Sequence, residues 1–224
     1  MVTRHRNTKR EQIMFLLGKK IEFPDVELAS PDGILAIGGD LSSERLLLAY
    51  QSGIFPWFSE GEPIVWYSPE KRMVLFPEEL KVSKSMKQLI RKGIYRITWN
   101  QNFEAVIKAC QVSPRKDQDG TWITEEMRKA YIKLHELGHA KSIEVWREEE
   151  LVGGLYGIDL GHVFCGESMF SRESNTSKLA FIHLVQKLEK ENYRLIDCQI
   201  YTAHLASLGA RDIPRQEFTK MLRA

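Results

Sequence analysis

The stretch that decides the fold is residues 141–170, KSIEVWREEELVGGLYGIDLGHVFCGESMF. It contains three apolar runs, at residues 141–146, 151–158 and 162–170, and short polar segments with turn residues separate them. Runs of this length with turn signals between them predict three strands joined by tight turns, a β-meander. We therefore expect a sheet to form the framework of this half of the chain.

The chain after the meander alternates between helix and strand. A helix is predicted to begin near Asn175 or Thr176, a strand follows at residues 195–201, and Gly209 ends a short helix after it. The apolar stripe of the first helix consists of Phe181, Leu184, Val185 and Leu188. Meander, helix, strand and helix in this order predict an α+β fold. A ligand cleft is expected where the sheet splays beside the last strand.

Residues 1–70 differ from the rest because turn residues recur throughout them. Aromatic residues and prolines are dense at residues 53–69, which argues against one regular element there. We predict a small loop-rich N-terminal domain at residues 1–70, followed by a larger domain at residues 71–224.

The composition indicates a chain that needs neither disulfides nor a metal to hold its core. Of its 224 residues 43% are hydrophobic, and a chain of this length buries about 70–75% of its unfolded surface. Its three cysteines form no CxxC pair, which favours a reducing compartment. We find no apolar run that could span a membrane and no signal-peptide core, so we expect a cytoplasmic protein without membrane contacts.

The net charge of +2 conceals a basic cluster between residues 81 and 96, which contains no acidic residue. Its members are Lys81, Lys84, Lys87, Arg91, Lys92 and Arg96. A helix would place Lys84, Lys87 and Arg91 on one face because their spacing is i, i+3, i+7. This face is either simply solvated or a patch that contacts the phosphate backbone of a nucleic acid.

The sequence His135-Glu136-Leu137-Gly138-His139 matches the HExxH pattern of helical zinc sites. Gly138 and the strand predicted at residues 141–146 end the helix before His139, so the two imidazoles would not share a helical face. No third ligand stands at a characteristic spacing, and we expect no metal.

Two strands carry polar residues where apolar ones are expected. Glu167 lies within the apolar stretch 164–170, and an unpaired carboxylate there would be costly to bury. Asp197 and Gln199 lie two residues apart on the next strand, so they are predicted to point to the same face as an acid–amide pair. These groups are either a hydrogen-bonded structural set or the lining of a polar ligand site.

Sequence motifs along most of the chain resemble those of one family. The motifs are GGDLS (38–42), GIFPWFS (53–59), TWIT (121–124), LHELGHA (134–140), LVGGLYG (151–157), GESMFS (166–171), LIDCQ (195–199) and HLASLGA (204–210). In this order they resemble the bacterial leucyl/phenylalanyl-tRNA–protein transferases, from about Phe23 to the C-terminus. The resemblance implies a small N-terminal domain on a GNAT-like acyltransferase domain.

The function implied by this resemblance is transfer of Leu or Phe, and less well Met, from aminoacyl-tRNA to the N-terminal Lys or Arg of a protein. The product would be marked for degradation by the N-end rule. No cofactor is expected, because the acyl donor would be aminoacyl-tRNA instead of CoA. We expect a monomer.

The resemblance also implies roles for individual residues. Asp197 and Gln199 would be the catalytic pair, and Glu167 would hold a substrate ammonium group beside them. The aromatic residues expected around the terminal adenosine are Trp57, Trp122 and Tyr131. The pocket expected for the donor side chain is lined by Leu155, Phe164, Met169 and Phe181. The basic residues expected to contact the tRNA acceptor stem are Lys81, Lys84, Lys87, Arg91 and Lys92.

Two other classes of protein stay open at this stage. One is a different acyltransferase with the same core, dependent on CoA or on another aminoacyl-tRNA. The other is a tRNA-binding protein without catalytic activity, although the presence of Glu167, Asp197 and Gln199 argues against it.

Overall fold

The computed structural model describes residues 14–113 and 123–223 and has an α+β fold, as predicted. The strands are β1 (Phe15–Leu17), β2 (Ile34–Gly38), β3 (Phe55–Pro56), β4 (Val65–Tyr67), β5 (Lys71–Leu75), β6 (Arg96–Trp99), β7 (Ala140–Arg147), β8 (Glu150–Asp159), β9 (Val163–Ser171), β10 (Leu195–Gln199) and β11 (Arg211–Pro214). The α-helices are α1 (Ser43–Gln51), α2 (Lys84–Lys92), α3 (Phe103–Val112), α4 (Glu125–Glu136), α5 (Thr176–Lys190), α6 (Ala203–Ala206) and α7 (Arg215–Arg223). Short 3₁₀ helices occupy Val26–Leu28 and Pro77–Glu79.

The N-terminal part is more regular than the loop-rich unit we predicted. It contains a small sheet with the strand order β1-β2-β4-β3, and α1 begins where the side chain of Ser42 accepts a hydrogen bond from the backbone N–H of Arg45. The proline-rich aromatic segments supply β3 and β4, which are only two and three residues long. Strands this short leave little alternation in the sequence, and the sequence pattern therefore predicts loops in this region.

The large sheet has the order β11-β5-β10-β9-β8-β7-β6. The predicted meander is confirmed, because β7, β8 and β9 pair antiparallel in sequence. Helix α5 then leads to β10, which pairs parallel to β9 from Leu195↔Val163 to Asp197↔Cys165. Since β9 continues to Ser171, its second half extends beyond this pairing and borders a cleft.

Helices cover both faces of the large sheet. Alternate strand residues belong to two buried clusters, as Val74 and Leu195 on one face and Met73 and Ile196 on the other illustrate. The first cluster contains residues of α3, α4 and the small sheet, whereas the second contains residues of α5. This explains why the central strands are apolar almost throughout.

The change from one sheet to the other falls between Tyr67 and Lys71, next to the domain boundary predicted at residue 70. The small sheet packs into a cluster that it shares with the large one, and the division into two domains stays a prediction. No helix in the described part of the chain is long and apolar enough to cross a membrane.

Candidate active site

A cavity of about 990 Å³ lies beside the ends of β9 and β10. Its wall is mostly apolar and includes Leu155, Met169, Phe181 and Ile196. Glu167 and Gln199 add polar groups to this wall, and Trp57 contributes an aromatic ring from the small sheet side. An apolar cavity with a few converging polar groups is the usual form of a substrate site.

Gln199 reaches this wall because β10 is irregular at its end. The pairing of β10 with β5 shifts between Asp197↔Val74 and Gln199↔Met73, which places Cys198 in a bulge. Gln199 itself has φ 62°, the left-handed region that non-glycine residues rarely adopt. The strand ends here instead of at residue 201 as predicted, because this backbone conformation cannot continue it.

A chain of hydrogen bonds links Gln199 to two tyrosines. Nε2 of Gln199 donates to Oε1 of Glu167 at 2.7 Å, and the hydroxyl of Tyr131 donates to Oε2 of the same carboxylate at 3.0 Å. The hydroxyl of Tyr50 is hydrogen-bonded to that of Tyr131. Nε2 already donates a hydrogen bond to Glu167. Oε1 of Gln199 is therefore the amide atom that can accept a hydrogen bond from an N–H group of a substrate.

Burial raises the pKa of Glu167 from 4.5 to about 7. Hydrogen bonds from Tyr50, Tyr131 and Gln199 work in the opposite direction, since they stabilise the charged form. Glu167 therefore titrates near neutral pH, a property that recurs in groups that transfer protons or bind charged substrates.

Asp197 is part of the cavity wall, and its side chain is fully buried there. Its two carboxylate oxygens accept hydrogen bonds from Nε and Nη2 of Arg72 at 2.8 and 2.7 Å, and Oδ1 also accepts the backbone N–H of Gln199 at 2.9 Å. The carboxylate therefore contacts the backbone of Gln199, whereas the i, i+2 spacing predicts a pair of side chains on one face. The bulge at Cys198 is the reason, because it breaks the i, i+2 alternation.

Sequence reasoning missed Arg72 and Tyr50. Arg72 stands directly before the apolar run Met73–Phe76, a position that indicates a buried strand. The predicted domain boundary at residue 70 lies directly before this run. The sequence around Tyr50 gives no signal of the contact between its hydroxyl and that of Tyr131.

The aromatic residues predicted around adenosine have different surroundings. Trp57 is partly exposed on the cavity wall, with its ring centroid 5.9 Å from that of Tyr67. Tyr131 is fully buried, and its ring packs edge-on against Tyr156. It offers no face for stacking and contacts the site through Glu167 instead. Trp122 lies outside the described residues.

Three of the four residues predicted for the donor pocket line the cavity: Leu155, Met169 and Phe181. Phe164 is not part of the cavity lining, and its ring lies against Gly157, where a Cβ atom would come within 2.6 Å of it. Phe164 therefore supports the wall from behind.

The predicted basic residues form an exposed face on and before α2, which begins after Ser83. Within residues 14–113 and 123–223, no carboxylate lies in ion-pair distance of Lys81, Lys84, Lys87, Arg91 or Lys92. We call Lys84, Lys87 and Arg91 the basic face of α2.

The HExxH sequence has the structure we expected from Gly138. Helix α4 ends at Glu136, so His139 lies beyond it, and the His135 ring stacks on Phe103 with its Nδ1 2.8 Å from the carbonyl oxygen of Ala140. Across the described segments, no three His, Cys, Asp or Glu side chains are grouped as metal ligands.

Comparison with known proteins identifies the class. A family model described as leucyl/phenylalanyl-tRNA protein transferase matches residues 74–223, and a model of its N-terminal domain matches residues 39–70. A leucyl/phenylalanyl-tRNA–protein transferase from Flavobacterium johnsoniae is 60% identical over 211 residues, which cover 94% of this chain and 100% of that protein. One from Syntrophus aciditrophicus is 59% identical over 92% of this chain and 87% of that protein.

The chain is an aminoacyltransferase. It belongs to the leucyl/phenylalanyl-tRNA protein transferase family, which confirms the resemblance found in its motifs.

Similarity to solved structures is weaker. A GCN5-related N-acetyltransferase from Kribbella flavida has a TM-score of 0.38 and 12% identity, covering 75% of this chain and 59% of that one. A protein of unknown function from Bacteroides thetaiotaomicron has a TM-score of 0.44 and 10% identity over 84% of this chain and 64% of that one.

Proposed function

We propose that this protein transfers Leu or Phe, and less well Met, from aminoacyl-tRNA to the N-terminal Lys or Arg of acceptor proteins. The observation that carries the proposal is the hydrogen-bonded set of Tyr131, Glu167 and Gln199 on the wall of an apolar cavity. The acceptors would thereby be marked for degradation by the N-end rule. We propose that the enzyme acts as a cytoplasmic monomer without a cofactor.

The reaction is aminolysis of an ester. The α-amine of the acceptor attacks the carbonyl carbon that joins the amino acid to the terminal ribose, a peptide bond forms, and the ribose oxygen leaves with a proton. The ester is already activated, so ATP is not needed. Holding the amine and the ester together in the cavity can supply about 7–11 kcal/mol of the barrier.

Gln199 orients the amine in this mechanism. An amide oxygen is too weak a base to remove a proton, but Oε1 can accept an N–H hydrogen bond and direct the nitrogen lone pair at the ester. The contact of Nε2 with Glu167 fixes the orientation of the amide. Asp197 holds the backbone at the same position.

Glu167 handles the charge of the acceptor. As a carboxylate it attracts the α-ammonium group into the cavity, and a pKa of about 7 suits it to take up the proton that the amine must lose before attack. Tyr131 and Tyr50 have no contact with the substrate in this proposal. They position the carboxylate instead.

The donor occupies the rest of the site. Its side chain enters the apolar part of the cavity between Leu155, Met169 and Phe181, which suits Leu and Phe. Trp57, together with Trp122, stacks on the terminal adenosine, an interaction worth about 1–3 kcal/mol per base. The exposed basic residues from Lys81 to Lys92 contact the acceptor stem through its phosphates.

The experiment is transfer of labelled leucine from Leu-tRNA to three peptides that differ only in an N-terminal Arg, Lys or Ala. We expect transfer to the Arg and Lys peptides and little to the Ala peptide. A parallel reaction contains labelled acetyl-CoA as the donor. Acetylation without leucyl transfer would overturn the proposal, and so would equal leucylation of all three peptides.

A further inference from the structure

Arg72 joins three parts of the molecule behind the cavity wall. It lies on β5 and is 2% exposed. Its guanidinium binds the Asp197 carboxylate through two parallel hydrogen bonds, and Nη1 donates to the carbonyl oxygen of Gly53 at 3.2 Å. The rings of Phe55 and Phe218 lie on it, with centroids 4.6 and 4.7 Å from Cζ. The guanidinium is thus fixed in position and orientation.

The charges of this pair compensate each other. Burial disfavours the charged guanidinium, but the adjacent Asp197 carboxylate outweighs this and raises the pKa of Arg72 above its ordinary value. Either charge alone would be buried without a partner, which is strongly unfavourable. Arg72, which the sequence motifs do not single out, is therefore the charged partner of Asp197.

The Asp197 carboxylate connects Arg72 to the backbone of Gln199 on the cavity wall. Oδ1 accepts hydrogen bonds from Nε of Arg72 and from the backbone N–H of Gln199, which lies in the left-handed region. A non-glycine residue there is strained and keeps this conformation only when its surroundings hold it. The hydrogen bond from its N–H to Asp197 is one of the contacts that hold the backbone of Gln199 in this conformation.

We propose that Arg72 is a positioning residue for aminoacyl transfer, and that it acts through Asp197 to hold the Gln199 amide at the acceptor amine. The inference rests on the proposed function of the same site. Bidentate geometry makes Arg72 specific, because a lysine carries the charge but cannot form the fork. A misplacement of the amide by about 1 Å is sufficient to lower the rate about 100-fold.

The test compares Arg72→Lys with Arg215→Lys, using Leu-tRNA and an Arg-peptide. Arg215 is a suitable control because it is also buried, at 8% exposure, and bonds the carbonyl oxygen of Ser68 without contacting Glu167, Asp197 or Gln199. We expect Arg72→Lys to lower kcat about 100-fold per folded molecule, with KM for the tRNA within about twofold of the unmodified protein. Arg215→Lys should lower the melting temperature and leave kcat unchanged.

A merely structural role for Arg72 predicts a different outcome. Unchanged kcat in folded Arg72→Lys would overturn the proposal, and so would equal losses in Arg72→Lys and Arg215→Lys. If the unmodified protein transfers no leucine, it is the proposed function that fails, so the two failures are distinguishable.

A second variant tests the proposal in case Arg72→Lys does not fold. Arg72→Met combined with Asp197→Asn removes both buried charges together, which avoids the penalty of an unpaired one. We expect this double variant to fold and to lose about as much kcat as Asp197→Asn alone, because both changes break one unit. A loss equal to the product of two independent effects, or a return to the unmodified kcat, would contradict the proposal.

Discussion

The cavity wall and the basic face of α2 contrast in how far their polar groups are fixed. On the wall, Glu167 and Gln199 are hydrogen-bonded to each other, and the backbone of Gln199 is held by Asp197. On the basic face, Lys84 and Lys87 are exposed, and no carboxylate in the described chain pairs with them. Bond formation depends on fixed geometry, whereas attraction to a phosphate backbone depends mainly on charge. Damage to the two regions should therefore affect different kinetic constants.

The largest effect is expected from Gln199→Ala. The variant removes the group that orients the amine, so kcat should fall between about 100- and 1000-fold while tRNA affinity stays within about twofold. Steady-state kinetics and tRNA binding measured on the same preparation provide the check. Gln216→Ala, on the exposed surface of α7, is the control. Equal losses of binding and turnover would show that Gln199 supports the fold or the donor instead.

Glu167→Gln should change the pH dependence of kcat, which tests the role of the cavity wall in the chemical step. In the unmodified protein kcat should rise as pH increases through about 7, since Glu167 then becomes a carboxylate. The glutamine variant should lose about 100-fold at pH 8 and show no inflection near 7. A pH–rate profile from 5.5 to 8.5 is the measurement. The same inflection in both proteins would assign it to another group.

The raised pKa of Glu167 also affects folding. Its pKa is higher in the folded than in the unfolded state, so its contribution to stability is fully present below about pH 4.5 and is lost as pH rises through about 7. The free energy of unfolding of Glu167→Gln, relative to that of the unmodified protein, should therefore increase from pH 5 to pH 8. The gain is at most about 3 kcal/mol and is reduced by the partial exposure of the side chain. The measurement is urea unfolding of both proteins at pH 5 and at pH 8. The same difference in free energy of unfolding at the two pH values would show that the carboxyl group is not desolvated.

The basic face should respond more weakly and depend on salt. Lys84→Ala and Lys87→Ala should each lower tRNA affinity several-fold and reduce the slope of log K against log salt by up to about one. Lys220→Ala on α7 serves as the control, since it is also an exposed lysine on a helix. Affinity measured at four salt concentrations is the check, and an unchanged slope would mean that the lysines contact no phosphate.

The smallest effect is expected for the preference for Leu over Ile as the transferred amino acid when the cavity wall is changed. Leu, Phe and Met are unbranched at Cβ, whereas Ile and Val carry two heavy atoms there and would clash with a narrow entrance. One misplaced methylene costs about 1–3 kcal/mol, so Ile should transfer about tenfold less well than Leu. Phe181→Ala should narrow this ratio because Phe181 lines the cavity, whereas Phe164→Ala should lower stability and leave the ratio unchanged. Equal transfer of Leu and Ile by the unmodified protein would exclude the narrow entrance.

The regular part of the fold was predictable from the sequence. The meander and α5 follow from apolar periodicity and turn chemistry, which are local properties. The strand β5 and the small sheet were not predicted. The apolar runs that form these strands are short and are bounded by prolines and charged residues. Their partner strands are brought beside them only by the tertiary structure.

The candidate site was predicted in composition and only in part in arrangement. The residues Glu167, Asp197 and Gln199 were identified because polar groups stood within apolar strands. Their connections depend on the bulge at Cys198 and on Arg72, which is 125 residues from Asp197 in the chain. Sequence spacing assumes a regular strand, and so it predicted contact between the Asp197 and Gln199 side chains where the structure has contact with the backbone.

The most direct test compares two variants with two donors. Gln199→Ala and the double variant Lys84→Ala/Lys87→Ala are each assayed with whole Leu-tRNA and with leucine esterified to adenosine alone, using one Arg-peptide. We predict that Gln199→Ala loses transfer equally with both donors, whereas the lysine variant loses transfer only with whole tRNA. Parallel losses of the lysine variant with both donors, or normal transfer by Gln199→Ala from the minimal donor, would contradict the separation of chemistry from tRNA binding.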